Sequence, residues 1–263
     1  MTLTAALVRR RTQMMGRQLY YEQLSFWRNP FGAFFTVGFS LIFLVLLAAS
    51  GGATKVTFLG VKEVQYYVPG FAAYGVMSAC FNTLAISLVN RRETGLLKRI
   101  RLSPLPAWAM IGALALNAMV VSVVQVVLLL LVGRFGFGAR LPENWAPLVL
   151  AIAVGVVCFT ALGVAASTLV PNEDAAGPMI SIVFFVMLFL SGLWFPLQPG
   201  SALAQFSRYF PVGPLIDATF APFHLVPGAS AWSWGNIGVV AIWGAVGFVV
   251  AVRRFRFEPR RAK

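Results

Sequence analysis

Six apolar runs dominate this sequence, at residues 31–50, 64–89, 107–132, 145–170, 175–195 and 232–252. Each reaches the ~20 residues that a helix needs to cross about 30 Å of hydrocarbon. Within a bilayer no water is at hand to satisfy backbone amides, so an isolated apolar span must be a helix. The runs therefore predict an all-α integral membrane protein with six transmembrane helices. Composition supports this, because only 11% of the 263 residues are charged while 59% are hydrophobic. A soluble chain carries about 25% charged residues, and this one cannot cover a water-facing surface.

The net charge of +13 would suit a nucleic-acid binder, but its placement does not. Sixteen of the 21 Lys and Arg residues fall in the N-terminal region, in residues 91–101 and in the C-terminal tail. A six-span chain puts all three on one side, and basic residues are retained on the cytoplasmic face, so both termini are expected inside. The turn at 171–174 is the exception, with Glu173 and Asp174 and no base. Arginine (17) outnumbers lysine (4), as in chains from GC-rich bacterial genomes, which suggests a bacterial plasma membrane. The charged lead of 30 residues is long for a cleaved signal peptide. Cys80 and Cys158 both lie in spans and indicate no disulfide framework.

Three segments flank or interrupt the spans. Residues 1–30 mix arginines with aromatic residues, as suits a helix lying on the cytoplasmic membrane surface and turning at Asn29-Pro30 into the first span. Residues 196–228 are apolar yet Pro-broken, which fits short helices that dip into the outer leaflet and return; a folded outer cap is the alternative. Residues 253–263 form a basic cytoplasmic tail. The spans and their connections, 31–252, read as one membrane domain.

Enzymatic chemistry has little to work with. His224 is the single histidine, which disfavours metal clusters and His-based catalysis. "SGGATKVT" lacks the Gly-Lys-Ser/Thr core of a phosphate loop. None of the eight acidic residues lies mid-span, where an ion-coupled carrier would need one. Any driving energy is expected from another protein.

The stretch "NRRETGLLKRIRLSPLP", residues 90–106, is more elaborate than a loop between spans requires. Asn90 can cap a helix with Glu93 reaching back, and Ser103-Pro104 can end it, giving an amphipathic helix over 91–102. At 100° per residue Glu93, Leu96, Leu97 and Ile100 share one arc, while Arg91, Lys98, Arg99 and Arg101 occupy the other side. The residues alone leave two readings open: the stripe rests on lipid headgroups, or it docks in a groove on a cytoplasmic partner.

The run "YYVPGFAAYGVMSACFNTLAISLVNRRETGLLKRIRLSPLP" resembles the signature region of ABC-2 type permeases, the membrane subunits of bacterial ABC exporters of the daunorubicin-resistance kind. The matching residues are Tyr67, Pro69, Gly70, Arg92, Glu93, Gly95, Lys98, Arg99, Arg101, Ser103 and Pro104. Downstream, "LSGLWFPL" and "FPVGPLIDA" are similar to the family's later motifs. The resemblance implies a coupling helix at 91–102, with Arg92, Glu93, Gly95, Leu96, Leu97, Lys98, Arg99, Ile100 and Arg101 engaging a separate ATPase. It further implies re-entrant helices before the sixth span, a second copy or homologous permease, and ATP and Mg bound by the partner subunit, with no cofactor on this chain. The family often has a proline in the first span, and residues 31–50 have none.

Polar residues within spans include Asn82, Asn117, Ser122 and Gln125, which could line a translocation path or bond neighbouring helices. Phe34, Phe35, Phe39 and Phe43 form a stripe that could face a lateral opening or lipid. An uncharged, Phe-rich lining suits an amphipathic or lipid-like solute, such as a drug or lipid. A polysaccharide or teichoic-acid precursor is the alternative, and a non-transporting scaffold binding anionic lipid is a third.

Overall fold

The computed structural model of the chain describes residues 3–51, 63–97, 107–194, 197, 200–223 and 230–255. Among these no strand occurs. In chain order the helices are α1 (Leu3–Trp27), α2 (Pro30–Ala49), α3 (Val64–Glu93), α4 (Met110–Gly136), α5 (Trp145–Ser167), α6 (Ala176–Leu190), α7 (Ala202–Ser207), α8 (Val212–Phe220) and α9 (Trp234–Arg254). Five of them, α2 to α5 and α9, are long and apolar enough to cross a membrane. Helix α6 covers the fifth apolar run but has 15 residues, about 22 Å at the helical rise. It stops because Gly192 adopts a left-handed turn (φ +78°) that ends the ladder five residues short of the predicted boundary.

Local chemistry starts the first span. The Gly32 N–H donates to Asn29 Oδ1 at 3.1 Å, and Pro30 occupies the first turn, where no N–H is needed. Helix α1 packs along α4, and Gln23 Nε2 donates to the Asn117 carbonyl at 3.3 Å. Helix α3 is the hub, with Phe71, Met77 and Leu88 fully buried and α2, α4, α5 and α8 packed round it. Helices α5 and α9 pair most extensively through small residues: a Cβ on Gly244 would stand 3.1 Å from Cys158 Cα. Such close backbone approach is how helices associate where no hydrophobic drive separates lipid from protein.

The Pro-rich stretch after α6 folds as a pair of short helices against the bundle. Ser201 caps α7 by accepting from the Ala204 N–H at 3.1 Å. Helix α8 is buried against α3, α5 and α9; Thr219 Oγ1 donates to the Pro69 carbonyl at 3.1 Å, and Trp243 Nε1 donates to the Tyr209 carbonyl at 2.7 Å. His224 and the tail from Arg256 onward lie outside the described residues, as do Lys55 and Lys62.

Three π-helical turns interrupt the spans, at Phe34–Gly38 in α2, Ser78–Thr83 in α3 and Val132–Gly136 at the end of α4. Each inserts a residue into the i→i−4 ladder, a feature that recurs at functional sites.

Candidate substrate cavity and the joint after α3

The helix expected to begin at Asn90 does not begin there. Residues Leu84–Glu93 continue the second span as one helix, and the Asn90 carbonyl accepts from the Thr94 N–H at 2.9 Å. The ending is at Thr94-Gly95, where Gly95 takes φ +72° and its N–H reaches the Arg92 carbonyl at 3.1 Å. The capping-box reading is therefore corrected. Nothing between Val89 and Asn90 forces the backbone out of the helical region, whereas Gly95 supplies the left-handed residue that ends a helix. Leu96 and Leu97 resume a helical turn, and Lys98, Arg99, Ile100 and Arg101 lie outside the described residues.

The shift changes where the predicted coupling residues point. Arg92 is buried, with Nε on Glu93 Oε1 at 2.7 Å, one terminal nitrogen on the Ser167 carbonyl at 3.1 Å and the other on the Val170 carbonyl at 2.6 Å. It thus satisfies the Ser167 carbonyl at the C-terminal end of α5, which an ended helix leaves open, and the Val170 carbonyl three residues beyond it. Glu93 faces inward with it. Leu97 is buried among Leu84, Leu88, Met110 and Leu114, whereas Leu96 is 40% exposed and a Cβ on Gly95 would meet nothing within 4 Å.

Arg91 has a partner that sequence reasoning missed. Its terminal nitrogens donate to both oxygens of Glu22 at 2.7 and 2.5 Å, its Nε donates to Ser87 Oγ at 3.2 Å, and Gln18 Nε2 also reaches Glu22 at 2.8 Å. Glu22 is the sole acid in residues 1–30, and that was the available signal. The bidentate pair fixes α1 to α3. Charge-assisted bonds of this kind contribute about 2 kcal/mol. Glu22→Arg or Arg91→Glu alone should cost about that much in reversible unfolding of the protein in nanodiscs, and the two together should recover most of it.

Above this pair lies a cavity of about 760 Å³, bounded by α1, α2, α3, α4 and α6. Its volume falls within the ~300–1,000 Å³ of small-molecule sites. The π turns of α2 and α3 meet at its wall, where the Thr36 and Thr83 hydroxyls stand 3.1 Å apart. Phe26, Phe35, Phe39, Phe184 and Phe185 give an aromatic lining, and Asn82, Asn90 and Asn117 lie among them.

The four predicted path residues separate. Asn82 and Asn117 line the cavity. Ser122 and Gln125 are fully buried away from it: Ser122 Oγ donates to the Ala118 carbonyl at 2.8 Å, and Gln125 Nε2 donates to Ser40 Oγ at 2.7 Å, tying α4 to α2. The phenylalanine stripe divides likewise. Phe35 and Phe39 face the cavity, while Phe39 and Phe43 also pack on Trp194 at ring separations of 6.2 and 4.7 Å. Among the described residues no cluster of His, Cys, Asp and Glu could hold a metal ion.

Five helices long and apolar enough to cross a bilayer, packed round an amphipathic cavity, are the architecture of a multi-pass membrane protein. A family model described as "ABC-2 family transporter protein" matches residues 53–253, and the chain belongs to that family. It is also 31% identical over 135 residues to "Putative transport permease YvfS" of Bacillus subtilis (strain 168). That similarity covers 51% of this chain and 54% of the relative, so the chain spans about half the length of the curated relative it matches.

Proposed function

We propose that the chain is the membrane-spanning permease of an ATP-driven exporter in the bacterial plasma membrane, moving an amphipathic or lipid-like solute such as a drug or lipid. The observation that carries this is the cavity, which offers an aromatic wall and polar groups together where five helices meet. A scaffold has no use for such a space. In this reading α6 is the fifth of six spans, α7 and α8 are the re-entrant pair, and both termini are cytoplasmic. A second permease copy completes the membrane part, and a separate ATPase subunit binds ATP and Mg.

The joint after α3 supports the coupling role. Leu96 is the exposed apolar residue at the end of α3, immediately beyond the glycine turn, and the chain from Lys98 onward carries the basic residues of the motif. A force applied there passes through Arg92 to α5 and through Arg91 to α1, so the three helices move together. For ATP binding to drive transport, the docked ATPase must engage this joint more tightly in one state than the other. Expressed in its host and purified in mild detergent, the full chain should bring down an ATP-binding-cassette ATPase. Leu96→Asp should weaken that association at least about ten-fold while leaving thermal unfolding of the permease unchanged. An undiminished complex with Leu96→Asp overturns the docking assignment.

A further inference from the structure

Helix α1 presents polar side chains to the protein and aromatic ones to the outside. Glu22 is buried on Arg91, Gln18 bonds Glu22, and Gln23 reaches the Asn117 carbonyl of α4. Away from the bundle, Tyr20 and Tyr21 are 64% and 63% exposed, and Leu24 and Trp27 are 39% and 46% exposed. A helix on a soluble protein does the reverse, burying its apolar stripe and showing polar residues to water. The outward face suits a medium that takes aromatic rings with a polar tip, which is the headgroup zone of a bilayer. Its place agrees, since Asn29-Pro30 leads from α1 straight into the apolar span α2.

Two cations complete this face. Arg17, Tyr21, Leu24 and Arg28 follow at i, i+4, i+7 and i+11, a single stripe at 100° per residue on the side opposite Phe26. Arg28 lies just past the end of α1, but its N–H still donates to the Leu24 carbonyl at 3.0 Å, so the stripe runs unbroken. At the helical rise the two arginine positions stand about 16 Å apart along the axis. Both arginines are exposed, and neither has a hydrogen-bond or ion-pair partner among the described residues, where the ion pairs are Arg91–Glu22 and Arg92–Glu93. Glu22, the sole acid of residues 1–30, is turned inward, so the stripe carries two positive charges and no counter-charge.

We infer that the outward face of α1 is a binding surface for anionic phospholipid. Arg17 and Arg28 each hold a headgroup phosphate, and Tyr20, Tyr21, Leu24 and Trp27 are seated among the glycerol and upper acyl carbons. A zwitterionic lipid also carries a phosphate, but its own cation opposes the same arginines, whereas a net-anionic headgroup brings no such repulsion. An acidic protein surface would meet the charge but not the exposed rings, which need an apolar layer directly beneath the anions.

The inference is independent of the permease reading, and its test needs no ATPase. The full chain with Leu24→Cys is labelled at that thiol with a bimane fluorophore, Cys80 and Cys158 being buried, and reconstituted alone in phosphatidylcholine nanodiscs. Phosphatidylglycerol or phosphatidylcholine bearing a nitroxide on the acyl chain close to the glycerol is then titrated into the bilayer as quencher. Each arginine near an anionic surface contributes about a five-fold preference. Phosphatidylglycerol should therefore reach half-maximal quenching at a mole fraction at least about ten-fold below phosphatidylcholine, and high salt should narrow the gap. Arg17→Gln with Arg28→Gln should close the gap to less than about two-fold without moving the melting temperature, since both side chains are exposed and unpaired. Arg253→Gln with Arg254→Gln removes the same charge from exposed positions at the end of α9 and should leave the gap in place. Equal quenching by the two lipids, or a gap that survives the loss of Arg17 and Arg28, overturns the inference. Absence of quenching by either lipid also overturns it and marks a face covered by protein instead.

Discussion

Arg92→Met should destabilise the protein by about 3–5 kcal/mol, the range for breaking a buried ion pair by removing one partner. The carbonyls of Ser167 and Val170 lose the guanidinium as donor, and Glu93 loses its bond to Arg92. The Ser167 carbonyl ends α5 and the Val170 carbonyl lies three residues beyond it, and a buried acceptor left without its donor costs about 1–3 kcal/mol. Arg92→Lys keeps the charge but not the planar fork that reaches three acceptors, and should fall between. Adding Glu93→Gln to Arg92→Met removes the charge that has lost its bond to Arg92 and should recover part of the loss. Thermal unfolding in nanodiscs reads all three. If Arg92→Met melted within about 2 °C of the unmodified protein, a shift corresponding to less than ~1 kcal/mol, the buried guanidinium would not be holding α3 to α5.

Arg92 also shows what a sequence pattern leaves hidden. The motif around it was legible as motif. The direction of the side chain was not, since it depends on where the preceding helix ends. Asn90 and Glu93 satisfy the spacing of a capping box, but the same residues extend a helix already running, and a helix with twenty-odd preceding residues needs no new nucleus. Gly95 was the more informative letter, since it carries the left-handed turn that ends the helix. The spans were readable because lipid demands long apolar runs; α6 came out short since its stop is a glycine turn inside an apolar stretch that hydropathy does not register. The π turns left no mark in residue type, so the meeting of Thr36 with Thr83 at the cavity wall could come only from the structure. Asn82 and Gln125 were equally plausible as path residues by polarity. Which one faces a space and which one bonds a neighbour is a matter of rotation about the helix axis, and inside a bundle polar on every side of a helix reads alike.

Gly163→Ala should cost about 2–3 kcal/mol although it adds a single methyl group. A Cβ on Gly163 would stand 2.7 Å from the Cys80 carbonyl oxygen, 3.1 Å from that of Phe81 and 3.2 Å from Phe81 Cα. These are backbone atoms of the π turn at Ser78–Thr83, so no rotamer change relieves the contact. Either α5 withdraws or the turn itself shifts. The turn carries Asn82 and Thr83 into the cavity wall, so the strain would be felt where the substrate is proposed to bind. The matched control is Gly238→Ala on α9, where a Cβ meets nothing within 4 Å. There the substitution should be neutral or stabilising by up to about 1 kcal/mol, from helix propensity alone. Unfolding of the two variants side by side in the same nanodiscs separates packing from propensity, since both replace a helical glycine with alanine. Equal melting temperatures would mean that α5 and the α3 turn are not in contact at Gly163.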